Sequence, residues 1–255
     1  MVMRPLEERH ALVTGGGSGI GLAIAAALTA SGAQVTVLGR REAKLNDAVA
    51  AGHAAFAIAA DVTDEDAATK AVATAASAHG PVLLLINAAG AAETAPFAKT
   101  GMAMFERMWR VNVAGAIATT HAALPGMLEA KSGRVVNIAS TASLKGYRYV
   151  SAYVSAKHAL LGVTRALALE LAGSGVTVNA VCPGFTDTDL VADSVARIVA
   201  RTGRTAEQAI ADLTRGNPMG RLIRPDEVAA AVLYLCHPAA ASVNGQALAV
   251  DGGET

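Results

Sequence analysis

The stretch Thr14-Gly15-Gly16-Gly17-Ser18-Gly19-Ile20-Gly21 decides the fold class of this chain. It follows the short apolar run His10-Ala11-Leu12-Val13 and leads into an apolar-periodic helical pattern over residues 20–31. Glycines at a strand-to-helix turn let the backbone turn tightly and approach a pyrophosphate, which the amides at the helix N-terminus can then bind. The Gly15-x-x-x-Gly19-x-Gly21 spacing differs from the common Gly-x-Gly-x-x-Gly fingerprint. Taken alone, the turn is therefore either a dinucleotide cradle or only a tight connection.

Strand and helix patterns alternate along the chain beyond that turn. Apolar runs predict strands at residues 34–38, 54–59, 82–86, 134–138, 176–181 and 247–250. Helical patterns cover residues 20–31, 41–51, a segment capped by Thr63 that runs to about 79, 101–130 with a disturbance at Pro125, 151–172, and a last helix from Arg224. The alternation predicts an α/β fold, a single Rossmann-type doubly wound parallel sheet of about seven strands with helices on both faces.

The sequence contains no linker-like stretch, so residues 1–255 are predicted to form one dinucleotide-binding and catalytic domain. Residues 185–220 break the strand–helix rhythm and are richer in charge. We interpret this segment as a mobile helical lid over the substrate.

Composition and charge exclude several classes of protein. Hydrophobic residues make up 53% of the chain and charged residues 16%, which excludes a disordered protein. The 21 basic residues balance 21 acidic ones, so we expect no nucleic-acid or membrane partner. No apolar stretch reaches the roughly 20 residues of a membrane span, and the first residues lack signal-peptide features, which predicts a cytoplasmic protein. Cys182 and Cys236 lack CxxC spacing, which predicts buried free thiols and no metal site.

A second motif, Tyr153-Val154-Ser155-Ala156-Lys157, opens the helix predicted at residues 151–172. Tyr153 and Lys157 are four residues apart, so their side chains share one face of that helix. A nearby ammonium favours the phenolate and would lower the tyrosine pKa from its ordinary value near 10 toward a useful range. Ser140, at the end of a predicted strand, could hold a substrate oxygen against the tyrosine. By itself such a pair is more often a surface tyrosine and lysine than a catalytic one.

Several motifs in register resemble the short-chain dehydrogenase/reductase family, and the resemblance covers essentially the whole chain. They are Thr14-Gly-x-x-x-Gly-Ile-Gly21, Asn87-Ala88-Ala89-Gly90, Asn112, Ser140, Tyr153-x-x-x-Lys157, Pro183-Gly184 and Val250-Asp251-Gly252-Gly253. The resemblance implies an oxidoreductase in which Tyr153 is the general acid/base, Lys157 also binds the nicotinamide ribose, and Ser140 orients the substrate. It also implies that Asn112 holds a helix irregularity and a relay water, and that the protein is a homotetramer assembled through its two long helices and closing strand.

The resemblance further implies a set of cofactor-binding residues. They are Gly15, Ser18, Gly19, Ile20, Gly21, Arg40, Arg41, Asp61, Val62, Asn87, Ala88, Gly90, Tyr153, Lys157, Pro183, Gly184, Thr186 and Thr188. Asp61 is alternatively only an acceptor within a turn, and Asn112 only a structural amide.

The residues after the second predicted strand bear on the choice of cofactor. Gly39 stands where many NAD-specific relatives carry an aspartate, and Arg40 and Arg41 follow it. Guanidinium groups suit a 2′-phosphate through charge and paired donors, so we favour NADP(H), with NAD(H) as the alternative. Ser18 favours the alternative, because many NADP-dependent relatives carry a basic residue at that position.

The substrate is less well specified. Residues 91–97, 141–149 and 185–220 are expected to form its walls, with Ala142, Tyr147 and Phe185 as candidate contacts. Lys145 and Arg148 either pair with an acidic or CoA-bearing substrate or belong to a solvated loop. The stretch from Cys182 to Gly253 resembles 3-hydroxybutyrate dehydrogenases and β-ketoacyl reductases. Ala92, Ala142 and Val150 stand where the hydroxybutyrate enzymes place polar or charged residues, which argues against free 3-hydroxybutyrate. A 3-hydroxyacyl thioester and a less polar secondary alcohol are both compatible with this wall.

Three other functions are weighed against this one. They are an NAD-dependent dehydrogenase of another secondary alcohol, a non-catalytic dinucleotide-sensing protein, and an epimerase or dehydratase with the same Tyr-Lys pair. A sensor need not keep Ser140, Tyr153 and Lys157, and epimerases usually carry a longer substrate domain.

Overall fold

The computed structural model describes residues 4–255 and contains one seven-stranded parallel sheet. The strand order is β3-β2-β1-β4-β5-β6-β7. The strands are β1 (His10–Thr14), β2 (Gln34–Gly39), β3 (Phe56–Ala59), β4 (Leu84–Asn87), β5 (Gly133–Ile138), β6 (Val176–Pro183) and β7 (Ala247–Val250). Each pair of neighbouring strands is parallel. The predicted fold class is therefore confirmed.

Helices follow the strands in the predicted alternation. They are α1 (Gly19–Ala30), α2 (Glu42–Ala50), α3 (Glu65–His79), α4 (Met102–Trp109), α5 (Gly115–Glu129), α6 (Ser151–Glu170), α7 (Asp189–Thr202), α8 (Ala206–Thr214) and α9 (Pro225–Cys236). A π-helical turn, Arg110–Ala114, joins α4 to α5. Among residues 4–255, no helix combines the length and apolarity that crossing a membrane requires.

The two faces of the sheet are covered by different helices, because successive strand residues point to opposite sides. On β1, Val13 belongs to a core cluster with Ile24 of α1 and Val232 of α9. Its neighbour Leu12 belongs to a second cluster, which includes Val72 of α3. Val13 and Leu12 are both fully buried, as expected for a parallel sheet covered on both faces.

The strand order reverses beside β1, which pairs with β2 on one side and β4 on the other. In open α/β sheets a crevice forms at the carboxyl ends of the strands at such a switch point. Thr14 and Asn87, at the ends of β1 and β4, are register partners there. The glycine-rich turn that follows β1 therefore opens into the crevice.

The N-cap of α3 differs from the prediction of Thr63. Asp64 is the cap, and its carboxylate accepts a hydrogen bond of 3.0 Å from the amide of Ala67. The backbone amide and hydroxyl of Thr63 instead donate to the Asp61 carboxylate, each at 2.9 Å. Both residue types suit an N-cap, and competition from Asp61 shifts the helix start by one residue.

The predicted disturbance at Pro125 is also wrong, because Pro125 lies inside the continuous helix α5. Proline removes the donor to the carbonyl four residues earlier, which here belongs to His121. Both residues are exposed, so water can supply the missing hydrogen bond. The irregularity lies instead at Arg110–Ala114, around Asn112.

Candidate active site

The glycine-rich turn adopts a conformation that larger residues could not share. Gly15 and Gly19 have positive φ angles of 68° and 52°. A Cβ atom on Gly21 would lie 2.3 Å from the carbonyl oxygen of Gly15, and one on Gly16 would lie 2.5 Å from a methyl carbon of Val37. These glycines bring the start of α1 against the turn, so backbone amides face the crevice with room for a phosphate-bearing ligand.

Thr14 ties this turn to the strand across the crevice. Its hydroxyl accepts hydrogen bonds of 3.0 Å from the amides of both Ala88 and Ala89, which follow β4. The chain can pass this close because Gly15 has no side chain, since a Cβ there would lie 3.0 Å from the backbone of Ala89. The glycine-rich turn and the loop after β4 are therefore held together at the base of the crevice.

A cleft runs from the glycine turn to the ends of β2 and β3 and under the start of α7. Twelve predicted cofactor residues line it: Gly15, Ser18, Gly19, Ile20, Gly21, Arg40, Arg41, Asp61, Val62, Ala88, Gly90 and Thr188. Sequence reasoning missed other lining residues, which include Lys44, Leu45, Ala89, Val111, Asp189 and Leu190. Lys44 follows Arg41 by three residues in the first turn of α2, so helical spacing could have revealed it.

The two arginines at the cleft have different partners. Arg41 donates a hydrogen bond of 2.8 Å to the Ser18 hydroxyl and so bridges the start of α2 and the glycine turn. Arg40 lies 3.9 Å from the Asp61 carboxylate, and both of these side chains are well exposed. Arg41 and Ser18 are therefore joined at the glycine turn, and Lys44 lines the same cleft.

The Asn87 side chain points into the protein core and not into the cleft. Its amide donates to Asn137 at 2.9 Å and to Thr120 at 3.2 Å, and its oxygen accepts from Thr119 at 2.7 Å. Asn137 in turn donates to Thr164 of α6 at 2.9 Å. This buried network fastens β4 and β5 to the helices above them, so any cofactor contact by Asn87 is left to its backbone.

Pro183, Gly184 and Thr186 lie just beyond the cleft lining, where β6 ends. Pro183 pairs with Val250 of β7, and the Thr186 hydroxyl donates to the carbonyl oxygen of Gly184 at 3.0 Å. Thr188 then occupies the N-cap position of α7. The turn after β6 is thus held beside the neighbouring strand.

Ser140, Tyr153 and Lys157 converge beyond the other end of the cleft. Lys157 is 4% exposed, and its ammonium donates a hydrogen bond of 2.8 Å to the carbonyl oxygen of Ile138, near the end of β5. That nitrogen lies 5.6 Å from the centroid of the Tyr153 ring. The Ser140 hydroxyl accepts from the amide of Ala142 at 3.1 Å. A phenol, an ammonium and a hydroxyl group therefore meet at one point.

The electrostatics of this cluster differ from the prediction. Burial raises the pKa of Tyr153, and the neighbouring Ser140 hydroxyl only partly opposes the rise. Burial also lowers the pKa of Lys157 to about 8. The predicted lowering of the Tyr153 pKa by Lys157 is not seen, because the ammonium is directed at Ile138 and desolvation is the larger effect.

Asn112 occupies the π-helical turn and is buried. Its amide donates to the carbonyl oxygens of Ala91 at 2.9 Å and Met108 at 3.0 Å. A Cβ on Gly90 would lie 2.9 Å from the Asn112 side-chain oxygen and 3.7 Å from the Lys157 nitrogen. Asn112 and Lys157 therefore flank one narrow space beside Gly90, which the expected helix irregularity creates.

The candidate substrate residues lie around Ser140. Ala142 is buried, and the Tyr147 ring packs edge-to-face on Phe185 with 6.2 Å between centroids. The Tyr147 hydroxyl is 2.7 Å from the Thr141 hydroxyl and 2.6 Å from a Glu254 carboxylate oxygen. Lys145 also pairs with Glu254, at 3.1 Å, so its charge is already compensated within the chain. Sequence reasoning gave Glu254 no role.

Comparison with known proteins identifies the family. A family model described as "short chain dehydrogenase" matches residues 9–198. The chain belongs to the short-chain dehydrogenase family. As predicted, this short-chain dehydrogenase is an NAD(P)-dependent oxidoreductase that acts on CH–OH groups and interconverts secondary alcohols and ketones.

Relatives align with the dehydrogenase over almost its full length. Galactitol 2-dehydrogenase (L-tagatose-forming) of Cereibacter sphaeroides is 40% identical, with 98% of this chain and 96% of the relative covered. D-beta-hydroxybutyrate dehydrogenase of Cupriavidus necator is 37% identical over 97% of this chain and 98% of its own. A crystal structure of an actinorhodin polyketide ketoreductase variant with NADPH superposes with a TM-score of 0.92 and 37% identity, covering 100% of this chain and 99% of the other. The expected ketoreductase-like branch is therefore supported.

Proposed function

We propose that this dehydrogenase is an NADPH-dependent reductase of 3-oxoacyl compounds, with Tyr153 as the general acid. The observation that carries the cofactor preference is the Arg41 guanidinium, which is held 2.8 Å from Ser18 beside the glycine turn. Gly39, at the end of β2, leaves this corner without the carboxylate that would repel a 2′-phosphate. The similar polyketide ketoreductase was solved with NADPH, which supports the same choice.

Arg41 and Lys44 are stronger candidates for phosphate ligands than Arg40. Arg41 and Lys44 both line the cleft, one helical turn apart on α2, and Arg41 already reaches across to the glycine turn. Arg40 is shared with Asp61 at 3.9 Å, so Asp61 would oppose its attraction for a phosphate. We assign Arg40 a secondary role, at the edge of the adenosine end of the cleft.

The chemistry follows from the groups that meet at α6. A nicotinamide cofactor held in the cleft would supply the hydride for the carbonyl carbon of the substrate. Ser140 donates a hydrogen bond to the carbonyl oxygen and Tyr153 delivers a proton to it, so the developing negative charge is neutralised. Lys157 supplies positive charge near the phenol and a donor for ribose hydroxyls, and Asn112 supports proton return through the space beside Gly90. The apolar surface of Phe185, packed on the Tyr147 ring, favours an uncharged acyl substrate over a free hydroxy acid.

Equilibrium titration with NADPH and with NADH tests the cofactor assignment. We expect NADPH to bind at least tenfold more tightly, about 1.4 kcal/mol, in the wild-type protein. The Arg41→Ala variant should lose most of this preference and Arg40→Ala much less, with NADH affinity changed little in either. Tighter binding of NADH by the wild type would contradict the proposal and favour an NAD-dependent dehydrogenase of another secondary alcohol.

Turnover assays test the substrate class. We expect NADPH oxidation with a 3-oxoacyl N-acetylcysteamine thioester to exceed that with a sugar ketone. Activity only with polyol or sugar substrates would instead match the named activity of the galactitol 2-dehydrogenase relative.

Three further assignments belong to this proposal. Segment 185–220 acts as the substrate lid within a single domain, since every residue of α7 is at least partly exposed.

A homotetramer is supported by exposed apolar residues on α4, α5 and α6, which are Met102, Trp109, Ile117, Leu128 and Leu169. A cytoplasmic location fits a cofactor drawn from the cellular NADPH pool. Light scattering of the purified protein and cell fractionation test the last two, and a monomer or a secreted protein would contradict them.

A further inference from the structure

Glu254 places a buried carboxylate against the candidate substrate wall. Its side chain is only 4% exposed. One carboxylate oxygen accepts a hydrogen bond of 2.6 Å from the Tyr147 hydroxyl and lies 3.1 Å from the Lys145 ammonium. The same ammonium donates a hydrogen bond of 3.0 Å to the backbone carbonyl of Glu254. A buried carboxylate is costly unless it is paired, and these contacts supply the pairing.

The segment that carries Glu254 is shaped to insert it between other parts of the chain. Gly252 and Gly253 both have positive φ angles, of 69° and 90°, and the Asp251 carboxylate accepts from the amides of Gly253 and Thr255, each at 3.0 Å. A Cβ on Gly216, just beyond α8, would lie 3.1 Å from a Glu254 carboxylate oxygen, and one on Gly184 would lie 3.5 Å from the other. The carboxylate therefore contacts the loop after β5 through Tyr147 and Lys145, and it lies beside Gly184 and Gly216 where a side chain would not fit.

A chain of hydroxyl groups connects this carboxylate to the residue next to Ser140. Because a carboxylate only accepts, the Tyr147 proton is directed to Glu254, and the Tyr147 oxygen then accepts from the Thr141 hydroxyl at 2.7 Å. Thr141 directly follows Ser140. Burial and the Glu254 hydrogen bond raise the pKa of Tyr147, so this phenol stays protonated as the chain requires. The Tyr147 ring in turn packs on Phe185.

We infer that Glu254 is a specificity-determining positioning residue. It fixes the Tyr147 ring in the substrate wall and compensates the charge of Lys145, so that the wall beside Ser140 selects uncharged ketones over carboxylates. This inference rests on the proposed reductase function and specifies that its substrate carries no net charge. Lys145 is 36% exposed and its ammonium lies 5.3 Å from the centroid of the Tyr147 ring, so without Glu254 its uncompensated charge would attract anions to this wall.

Binding of a matched pair of small ketones tests the inference without requiring turnover. The probes are ethyl acetoacetate, which is neutral, and acetoacetate, its free acid, titrated calorimetrically into protein saturated with NADP⁺. In the isosteric Glu254→Gln variant, Tyr147 keeps an acceptor while the negative charge is lost. We expect the affinity ratio of acetoacetate to ethyl acetoacetate to rise about three- to tenfold, as one charge uncovered near the protein surface would produce.

Companion variants separate charge from packing. Adding Lys145→Met to Glu254→Gln should return the ratio to the wild-type value, and Tyr147→Phe should weaken both ligands without changing the ratio. Glu170→Gln, an exposed carboxamide substitution at the end of α6, is the control and should leave both affinities unchanged. If Glu254→Gln does not fold, Lys145→Met alone should lower the ratio, because Glu254 is then left without its counter-ion.

The outcomes distinguish this inference from the proposed function. An unchanged ratio in Glu254→Gln, or no binding of either ketone to any variant, overturns the role of Glu254. A shifted ratio in protein that reduces neither ketone with NADPH or NADH overturns the reductase proposal and leaves the role of Glu254 standing.

Discussion

The ammonium of Lys157 lies 5.6 Å from the centroid of the Tyr153 ring, one turn along the same helix. Burial acts on both groups in the direction of the uncharged form, because it raises the pKa of Tyr153 and lowers that of Lys157 to about 8. At neutral pH the pair thus holds one buried charge, on Lys157, and this charge costs stability.

Replacing Tyr153 by phenylalanine should abolish turnover. The ring and its packing are kept, while the group that exchanges a proton with the substrate oxygen is lost. General acid–base catalysis contributes about 10²–10⁴-fold to rate, and we expect kcat to fall by at least this factor. Because the residues that line the proposed cofactor cleft do not include Tyr153, the NADPH dissociation constant should change by less than about threefold, or 0.6 kcal/mol.

Steady-state kinetics measure kcat, and fluorescence titration measures the NADPH dissociation constant, on the same Tyr153→Phe preparation. The matched control is Tyr234→Phe, since Tyr234 is an exposed tyrosine on α9, outside the expected substrate walls. If Tyr153→Phe lacks turnover but restores the growth phenotype of cells without the protein as fully as the wild type does, the enzyme interpretation is contradicted and a dinucleotide sensor is favoured.

Replacing Lys157 by methionine should separate stability from activity. A buried lysine whose pKa is lowered to about 8 pays for its charge at pH 7, so the variant should be about 1–3 kcal/mol more stable there while losing activity. The gain is limited because the Ile138 carbonyl oxygen loses its donor.

The sign of the pH dependence gives an independent check on Lys157. Between pH 8 and 10.5 the unfolded chain keeps the lysine proton that the folded chain releases, so the contribution of Lys157 to stability rises with pH in this window. Burial raises the pKa of Cys182 and of Cys236, which acts in the opposite direction in the wild type and the variant alike. From pH 7.5 to 9.5, urea unfolding should therefore show a more positive change in stability for the wild type than for Lys157→Met. Equal changes in the two proteins would show that Lys157 does not carry a buried charge.

Substituting alanine for Gly21 should damage cofactor binding more than any surface glycine substitution. The new Cβ would lie 2.3 Å from the Gly15 carbonyl oxygen, a backbone atom that cannot move without opening the turn. We expect a loss of about 1–3 kcal/mol in unfolding free energy and at least tenfold weaker NADPH binding.

Gly162→Ala is the matched control for Gly21→Ala. Gly162 lies within α6, and a Cβ there meets nothing within 4 Å. Alanine in an open helical position should stabilise the protein by about 0.5–1 kcal/mol and leave cofactor binding unchanged. Thermal unfolding and NADPH titration measure the stability and cofactor affinity of the two variants. Equal changes in Gly21→Ala and Gly162→Ala would refute the steric argument.

The sheet could be predicted from the sequence because its determinants are local. Apolar runs of strand length, such as the one ending at Ile86, and helical patterns such as that of α1 lie within single elements. The glycine turn and the Tyr153–Lys157 pair are also defined by residues adjacent in the sequence, and the chain order of the motifs supplied the rest.

Features set by long-range contacts could not be predicted in the same way. The resemblance placed Asn87 among the cofactor-binding residues. It could not show the side-chain partners Thr119, Thr120 and Asn137, which only folding brings to Asn87. The role of Glu254 could not be predicted, because its partner Tyr147 is 107 positions away in the sequence. The direction of the Tyr153 pKa shift depends on desolvation, which a sequence does not display.

His10 is buried at the start of β1 and far from the cleft. Its Nδ1 lies 2.8 Å from the carbonyl oxygen of Gly80 and must carry the proton, so Nε2 accepts from the Thr36 hydroxyl at 2.9 Å. Burial, together with the nearby His79, lowers the pKa of His10, although the Gly80 hydrogen bond opposes this. Below pH 6.5 the unfolded chain therefore binds a proton that the folded chain resists, and stability should fall as the pH falls.

Urea unfolding between pH 7.5 and 5 measures this effect. The part of the slope due to His10 is at most about 1.4 kcal/mol per pH unit, and it should vanish in His10→Gln, which loses some stability at pH 7.5 but less on acidification. His158→Gln, at an exposed position on α6, should keep the wild-type slope. If His10→Gln followed the wild-type slope as well, the acid sensitivity would have to come from other groups, with His79, whose ring centroid lies 5.5 Å from that of His10, as the next residue to test.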